Sequence, residues 1–178
     1  SCCSGSFDRI EPMDRIKMFG MDVDGVLTDG GIYYGDGIEI KRFHVQDGMG
    51  ITLIIRAGIV PFIITARKSA ATERRARELG VAETYQGIDD KLSCLEQLIQ
   101  KHGIDYHEIA YVGDDLSDVS VMKKVGLPIA VANAVEEVRR LAKYVTSSRG
   151  GSGAVREACE YVLKINGFQE PFADLLRS

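Results

Sequence analysis

Short apolar segments beginning near residues 16, 60, 83, 109, 128 and 144 alternate with stretches of helical periodicity through most of this chain. A short strand that is apolar on both faces must be covered on both, and a helix between successive strands covers it when those strands run parallel. The pattern predicts an α/β fold, a three-layer parallel sheet with helices on either side. At 178 residues, 45% of them hydrophobic, the chain is long enough to bury such a core as one domain.

The segment Ile16 to Val23 runs into DVDG, VPFIIT ends at Thr65, and IAYV runs into GDDLSD. Each is a buried-strand pattern that delivers polar groups to a sheet edge. Between the first two, residues 30–45 hold two β-prone runs split by GDG, which reads as an inserted β-hairpin. Helices are predicted from Asp47 to about Ala57 and from Ser69 to Leu79, stopped by Gly80. A third is capped by Asp89 and ended by Gly103, a fourth runs to Lys124, and the last two span Val135 to Ala142 and Ala154 to Lys164. Residues 1–15 read as a loose lead-in, 16–166 as the domain, and 167–178 as a C-terminal tail.

Charge and cysteine content narrow the function classes. Twenty-two basic against 26 acidic residues give a net charge of −4 and a pI near 5.4, which offers no general attraction to nucleic acid. Cys2, Cys3, Cys94 and Cys159 make no C-x-x-C pair, and His44, His102 and His107 make no ligand pair, so neither a disulfide framework nor zinc is expected. No run approaches about 18 apolar residues and no signal-peptide pattern is seen, so a cytoplasmic protein without membrane insertion is expected. There is no G-x-x-x-x-G-K-S/T loop of the ordinary ATPase kind.

The acids carry the chemistry. Were the strand to continue through Asp22 and Asp24, their offset of two would put both carboxylates on one side, a costly arrangement without a cation or proton. Asp114, Asp115 and Asp118 follow a second buried strand. Parallel strands point their carboxyl ends the same way, so Asp22, Asp24 and Asp114 can meet around one hard cation such as Mg²⁺. Asp115 also suits an N-cap, and Asp118, one helical turn beyond Asp114, suits support of the loop. Thr65 offers a hydroxyl and Lys91 a positive charge to a phosphate, which together outline a phosphoryl-transfer site.

DVDGVLTDG, ITARKS, DDK and VGDDLSD, in that order, resemble the four motifs of the haloacid dehalogenase-like phosphohydrolase superfamily, whose fold is Rossmann-like. The hairpin segment, YQGIDDKL and RGGSGAVREACEYVL are further similar to the members without a large cap domain that act on acidic sugar phosphates. The resemblance implies that Asp22 is the nucleophile and Asp24 the acid/base. Mg²⁺ would be held by Asp22, the Asp24 backbone carbonyl and Asp114, with Asp115 and Asp118 supporting that loop. Thr65, Ala66 and Lys91 would hold the phosphate, Ala66 standing where relatives commonly have a glycine that allows positive φ. Arg67, Arg149 and Arg156 are the implied substrate contacts, the glycine-rich loop at Arg149 approaching the ligand. A homotetramer with shared active sites is implied as well, and Tyr33, Tyr34, Ile38, Ile40 and Phe43 of the hairpin supply an apolar face for it. A phosphatase for a related nine-carbon sugar acid, a noncatalytic assembly domain and a phosphorylation receiver remain as other readings.

Overall fold

The computed structural model describes residues 15–170 and 172–177, so residues 1–14 of the lead-in, with Cys2 and Cys3, lie outside the described residues. The described residues form eight strands: β1 (Met18–Met21), β2 (Tyr33–Gly35), β3 (Ile38–Ile40), β4 (Val60–Thr65), β5 (Glu83–Gln86), β6 (Ile109–Gly113), β7 (Leu127–Ala130) and β8 (Tyr144–Val145). Six of them form one all-parallel sheet in the order β5-β4-β1-β6-β7-β8. Every residue of β1, β6 and β7 is buried, as strands covered on both faces require. The cover comes from α1 (Val45–Arg56), which contacts both α2 (Ala70–Leu79) and α6 (Ala154–Ile165), and from α4 (Val119–Met122), which contacts both α3 (Lys91–His102) and α5 (Glu136–Leu141).

The helix ends follow local chemistry. Ser69 caps α2 by accepting the Thr72 N–H at 3.4 Å, and Gly80 ends it in the left-handed conformation at φ 73°. Asp90, not Asp89, caps α3, because its carboxylate is the one placed to accept the Ser93 N–H at 3.1 Å. The segment after β6 is less regular than its pattern predicts: a 3-10 turn (Leu116–Asp118) precedes the single turn of α4, which ends at Met122. Helix α1 starts at Val45 instead of Asp47, with Asp47 buried inside its first turn.

Strands β2 and β3 pair as the inserted hairpin, anchored by a bridge between Thr28 and Phe43. Tyr33, Tyr34, Ile38 and Ile40 are exposed, Tyr34 by 71%. Phe43 departs from the expected apolar face: it packs on the chain's own core, with the Arg75 guanidinium 6.0 Å from its ring centre. In the tail, a 3-10 helix (Phe172–Leu176) buries Phe172 and packs on α1.

From β1 the chain proceeds to β4 and β5 on one side, then crosses to β6 on the other. The order therefore reverses at β1, and the carboxyl ends of β1 and β6 flank the crevice where ligands bind in sheets of this kind.

Candidate active site

Strand β1 ends at Met21, one residue before the acids, so the D-x-D pair is carried by a turn and not by a continuing strand. The Asp22 N–H still bonds to the Val112 carbonyl at 3.1 Å, which fixes the first acid beside β6. The Asp24 side chain swings elsewhere and pairs with Lys41 at 2.7 Å. Gly25 completes the turn at φ 87°, and a Cβ there would stand 2.0 Å from Asp114 Oδ2. Only glycine lets this turn lie against the second acidic loop.

Asp22, Asp114 and Asp118 place one carboxylate oxygen each within 4.8 Å of one another. Lys91, the first residue of α3, reaches into this cluster with its side chain 1% exposed, its Nζ 2.7 Å from Asp22 and 2.8 Å from Asp118. Asp118 is fully buried and accepts four donors: Lys91 and the Tyr111 hydroxyl at Oδ1, and the Asp114 and Asp115 N–H groups at Oδ2. It thus sets the shape of the loop after β6. Asp115 caps the 3-10 turn, taking the Leu116 N–H at 2.7 Å, which is the capping role its position suggests.

Three acids around one lysine leave negative charge uncompensated. Burial, then the Asp118 and Asp22 charges, push the Asp114 carboxyl up to about 8. Burial and Asp118 raise Asp22 too, against the pull of Lys91. Burial disfavours the Lys91 ammonium, but Asp118 and Asp22 outweigh it and its pKa is raised. Asp114 Oδ1 is buried without a hydrogen-bond partner in the protein. A buried orphan oxygen in an acid cluster at a strand switch point fits a hard divalent cation, whose charge and oxygen preference answer both deficits.

Asp22, Asp24, Thr65, Ala66, Arg67, Asp114, Asp115 and Ser117 line a cavity of about 180 Å³. The structure thereby brings together most of the residues named from sequence, with Lys91 and Asp118 beneath them. Ala66 is exposed, and no non-glycine among the described residues takes a positive φ, so its methyl group strains nothing. Arg67 lies at the cavity edge, its Nη2 2.7 Å from the Tyr34 hydroxyl and 3.2 Å from Glu39 on the hairpin.

Two of the implied substrate contacts are engaged or placed differently within this chain. Arg156 is on α6, where its backbone N–H bonds to Asp47 at 2.9 Å and its guanidinium to Glu160 at 2.6 Å, away from the cavity. The glycines beside Arg149 serve a backbone approach instead of a ligand approach: a Cβ on Gly150 would stand 1.8 Å from the Gly25 carbonyl oxygen, and Gly151 donates to Val26 at 3.0 Å. Arg149 itself is exposed. Sequence reasoning missed Asn133, which donates to the Gly25 carbonyl at 3.2 Å and accepts the Gly150 N–H at 2.7 Å, stitching the two loops. It also missed Lys41 and Ser117.

The sequence profile of the haloacid dehalogenase-like hydrolases matches residues 81–158, and close relatives extend that match to nearly the whole chain: the chain belongs to this family. The 3-deoxy-D-manno-octulosonate 8-phosphate phosphatase of Escherichia coli K12 is 45% identical over 163 residues, 91% of this chain and 87% of that protein. The corresponding enzyme of Moraxella catarrhalis, solved in complex with a magnesium ion, a phosphate ion and a KDO molecule, superimposes with a TM-score of 0.85 at 46% identity, covering 92% of each chain. The cobalt-bound phosphatase of Haemophilus influenzae gives a TM-score of 0.88 at 33% identity, covering 94% of this chain and 100% of that one.

Proposed function

We infer that this chain hydrolyses 3-deoxy-D-manno-octulosonate 8-phosphate to the free sugar acid and phosphate, through an aspartyl-phosphate on Asp22. The observation that carries the reading is the buried constellation of Asp22, Lys91, Asp118 and Asp114 at the strand switch point, with one carboxylate oxygen unpartnered. The phosphatases it resembles in sequence and structure support the substrate.

Asp22 Oδ attacks phosphorus while the bond to the sugar oxygen breaks. Asp24 protonates that oxygen, then takes a proton from the water that attacks the aspartyl-phosphate and frees Asp22. Lys91 holds Asp22 aimed and balances charge on the phosphoryl oxygens, Thr65 supplies a hydroxyl, and Ala66 and Arg67 complete the wall. Asp22, Asp114 and the Asp24 carbonyl would hold Mg²⁺, which supplies charge stabilisation at the phosphoryl oxygens when bound. Asp118 positions that loop. A panel of kcat/KM values in Mg²⁺ tests the substrate: the eight-carbon sugar acid phosphate is expected to exceed a neutral hexose 6-phosphate and a nine-carbon acid 9-phosphate by at least about tenfold. Equal values would defeat this assignment.

Asp114 gives a pH signature. Its metal-free folded pKa of about 8 lies above the ordinary 3.8, so between those values the folded state holds more protons than the unfolded one. Metal-free stability is then expected to fall as pH rises from about 4 to about 8. Saturating Mg²⁺ or Asp114→Asn should flatten that slope. Urea midpoints across pH check this, and a metal-free slope of opposite sign would contradict it.

The chain's own cavity, about 180 Å³, is small beside the usual ligand pocket and opens to solvent, leaving the sugar end of an eight-carbon acid without a wall from this chain's core. This supports a pocket completed by neighbouring copies in a homotetramer, with the exposed hairpin residues as contacts. Ile38→Asp would bury an unpaired charge at such a contact. It is expected to shift sedimentation toward smaller species and to lower kcat/KM for the sugar phosphate more than for a small phosphate ester; a folded monomer with unchanged efficiency would refute the shared pocket. Free, buried Cys94 and Cys159 agree with a reducing compartment such as the cytoplasm.

A further inference from the structure

Asp24 is placed by the inserted hairpin and not by the strand that precedes it. After β1 ends at Met21 its side chain turns to Lys41, one residue past β3, whose Nζ sits 2.7 Å from Asp24 Oδ1 and 3.8 Å from Glu39. The Lys41 side chain is 1% exposed, as deeply buried as that of Lys91. An ammonium is costly to bury unless it is closely paired, so its place under Asp24 is specified by the fold. The other cation, Arg67, is 42% exposed and stands 3.7 Å from Asp24 Oδ2, with its Nη2 engaged by Tyr34 and Glu39. Lys41 is thus the fixed partner and Arg67 the loose one. With Oδ1 held from below, Oδ2 is the oxygen left on the Arg67 side of the cavity that Asp24 lines.

We propose that Lys41 is a positioning residue for proton transfer: it locks the Asp24 carboxyl so that Oδ2 meets the leaving oxygen of the substrate. The proposal rests on the reading of Asp24 as the acid/base. In the first transfer the phosphorus–oxygen bond to the sugar breaks as the Asp22–phosphorus bond forms. The electron pair goes to the sugar oxygen, and the Asp24 proton follows it, leaving a carboxylate. In the second, Asp24 takes a proton from the attacking water and the electron pair of the breaking bond returns to Asp22. Both steps need the same oxygen in the same place, and geometric errors of about 1 Å are expensive in such transfers.

The test compares leaving groups. Because kcat/KM reports only through the first phosphoryl transfer, a sugar alkoxide needs the Asp24 proton there, whereas the stable phenolate of 4-nitrophenyl phosphate does not. Lys41→Met in the full chain with Mg²⁺ is expected to lower kcat/KM for the sugar phosphate by about 10²-fold, the scale of a lost general acid, and for the aryl ester by only a few-fold. Lys41→Cys alkylated with bromoethylamine restores an ammonium at nearly the original length and should recover the sugar-phosphate rate, with identically treated wild type as control. Lys41→Gln serves where Lys41→Met does not fold. Equal proportional losses on both esters, or rescue of neither, would overturn the proposal. Failure of the substrate assignment is seen separately, as a wild-type chain that releases no phosphate from the sugar phosphate; any alkyl phosphate it accepts then stands in as the ester that needs a proton.

Discussion

Asp22→Asn is expected to lower phosphate release by at least about 10⁴-fold, the scale seen when a nucleophile is removed from a constellation that acts as a unit. The amide keeps the shape of the carboxylate but cannot attack phosphorus. The same change removes a buried like charge: Asp22 is raised by burial and by Asp118, so a neutral group there relieves repulsion in the metal-free protein. Lys91 still has Asp118 at 2.8 Å. Activity should therefore collapse while the metal-free urea midpoint stays level or rises. Substantial retained turnover in a contamination-controlled preparation would remove Asp22 from the chemistry. A large fall in the midpoint would mean that the loss reports unfolding instead.

The second large effect is structural. Asp118→Ala strands four donors at once, on Lys91, Tyr111, Asp114 and Asp115. Breaking a buried ion pair from one side costs about 3–5 kcal/mol, and the stranded hydroxyl and amides act in the same direction. Asn is a poor substitute, because its amide NH₂ would face either the two N–H groups or the lysine and tyrosine donors. Both variants should unfold at markedly lower urea, and Mg²⁺ should recover less of the difference than it does in wild type, since the loop bearing Asp114 is no longer held. An unchanged midpoint for Asp118→Ala would show that the network contributes little.

The strands and the main chemistry were legible because each is written locally. An apolar run that stops at an acid or a threonine marks both a buried strand and what it delivers, so Asp22, Thr65 and the loop after Val112 can be placed from sequence alone. The parallel rule then predicts that these ends converge, and the sheet order brings them to one crevice. Lys91 is legible only as a cation that suits a phosphate, and Ala66 only through the motif resemblance. What stayed illegible depends on side-chain direction across long sequence separations. Lys41 carries no local mark of its role, because its partner Asp24 lies 17 residues earlier in the chain. Asn133 has no local signature at all, since its partners are the backbones of Gly25 and Gly150. The RGGSG loop looked like a ligand loop because glycine permits any close approach, and here the neighbour is another backbone. Arg156 follows the motif in sequence, and its direction too was illegible: α6 turns it toward Glu160.

The central claim, that the phosphoryl group passes through Asp22, is tested most directly by stereochemistry. A phosphorothioate analogue of the sugar phosphate, made chiral at phosphorus with one heavy oxygen isotope and hydrolysed in water carrying another, records whether phosphorus is attacked once or twice. Two in-line transfers, first to Asp22 and then to water, require net retention of configuration, and that is the result expected. Net inversion would mean that water attacks the substrate directly, and would contradict a covalent role for Asp22.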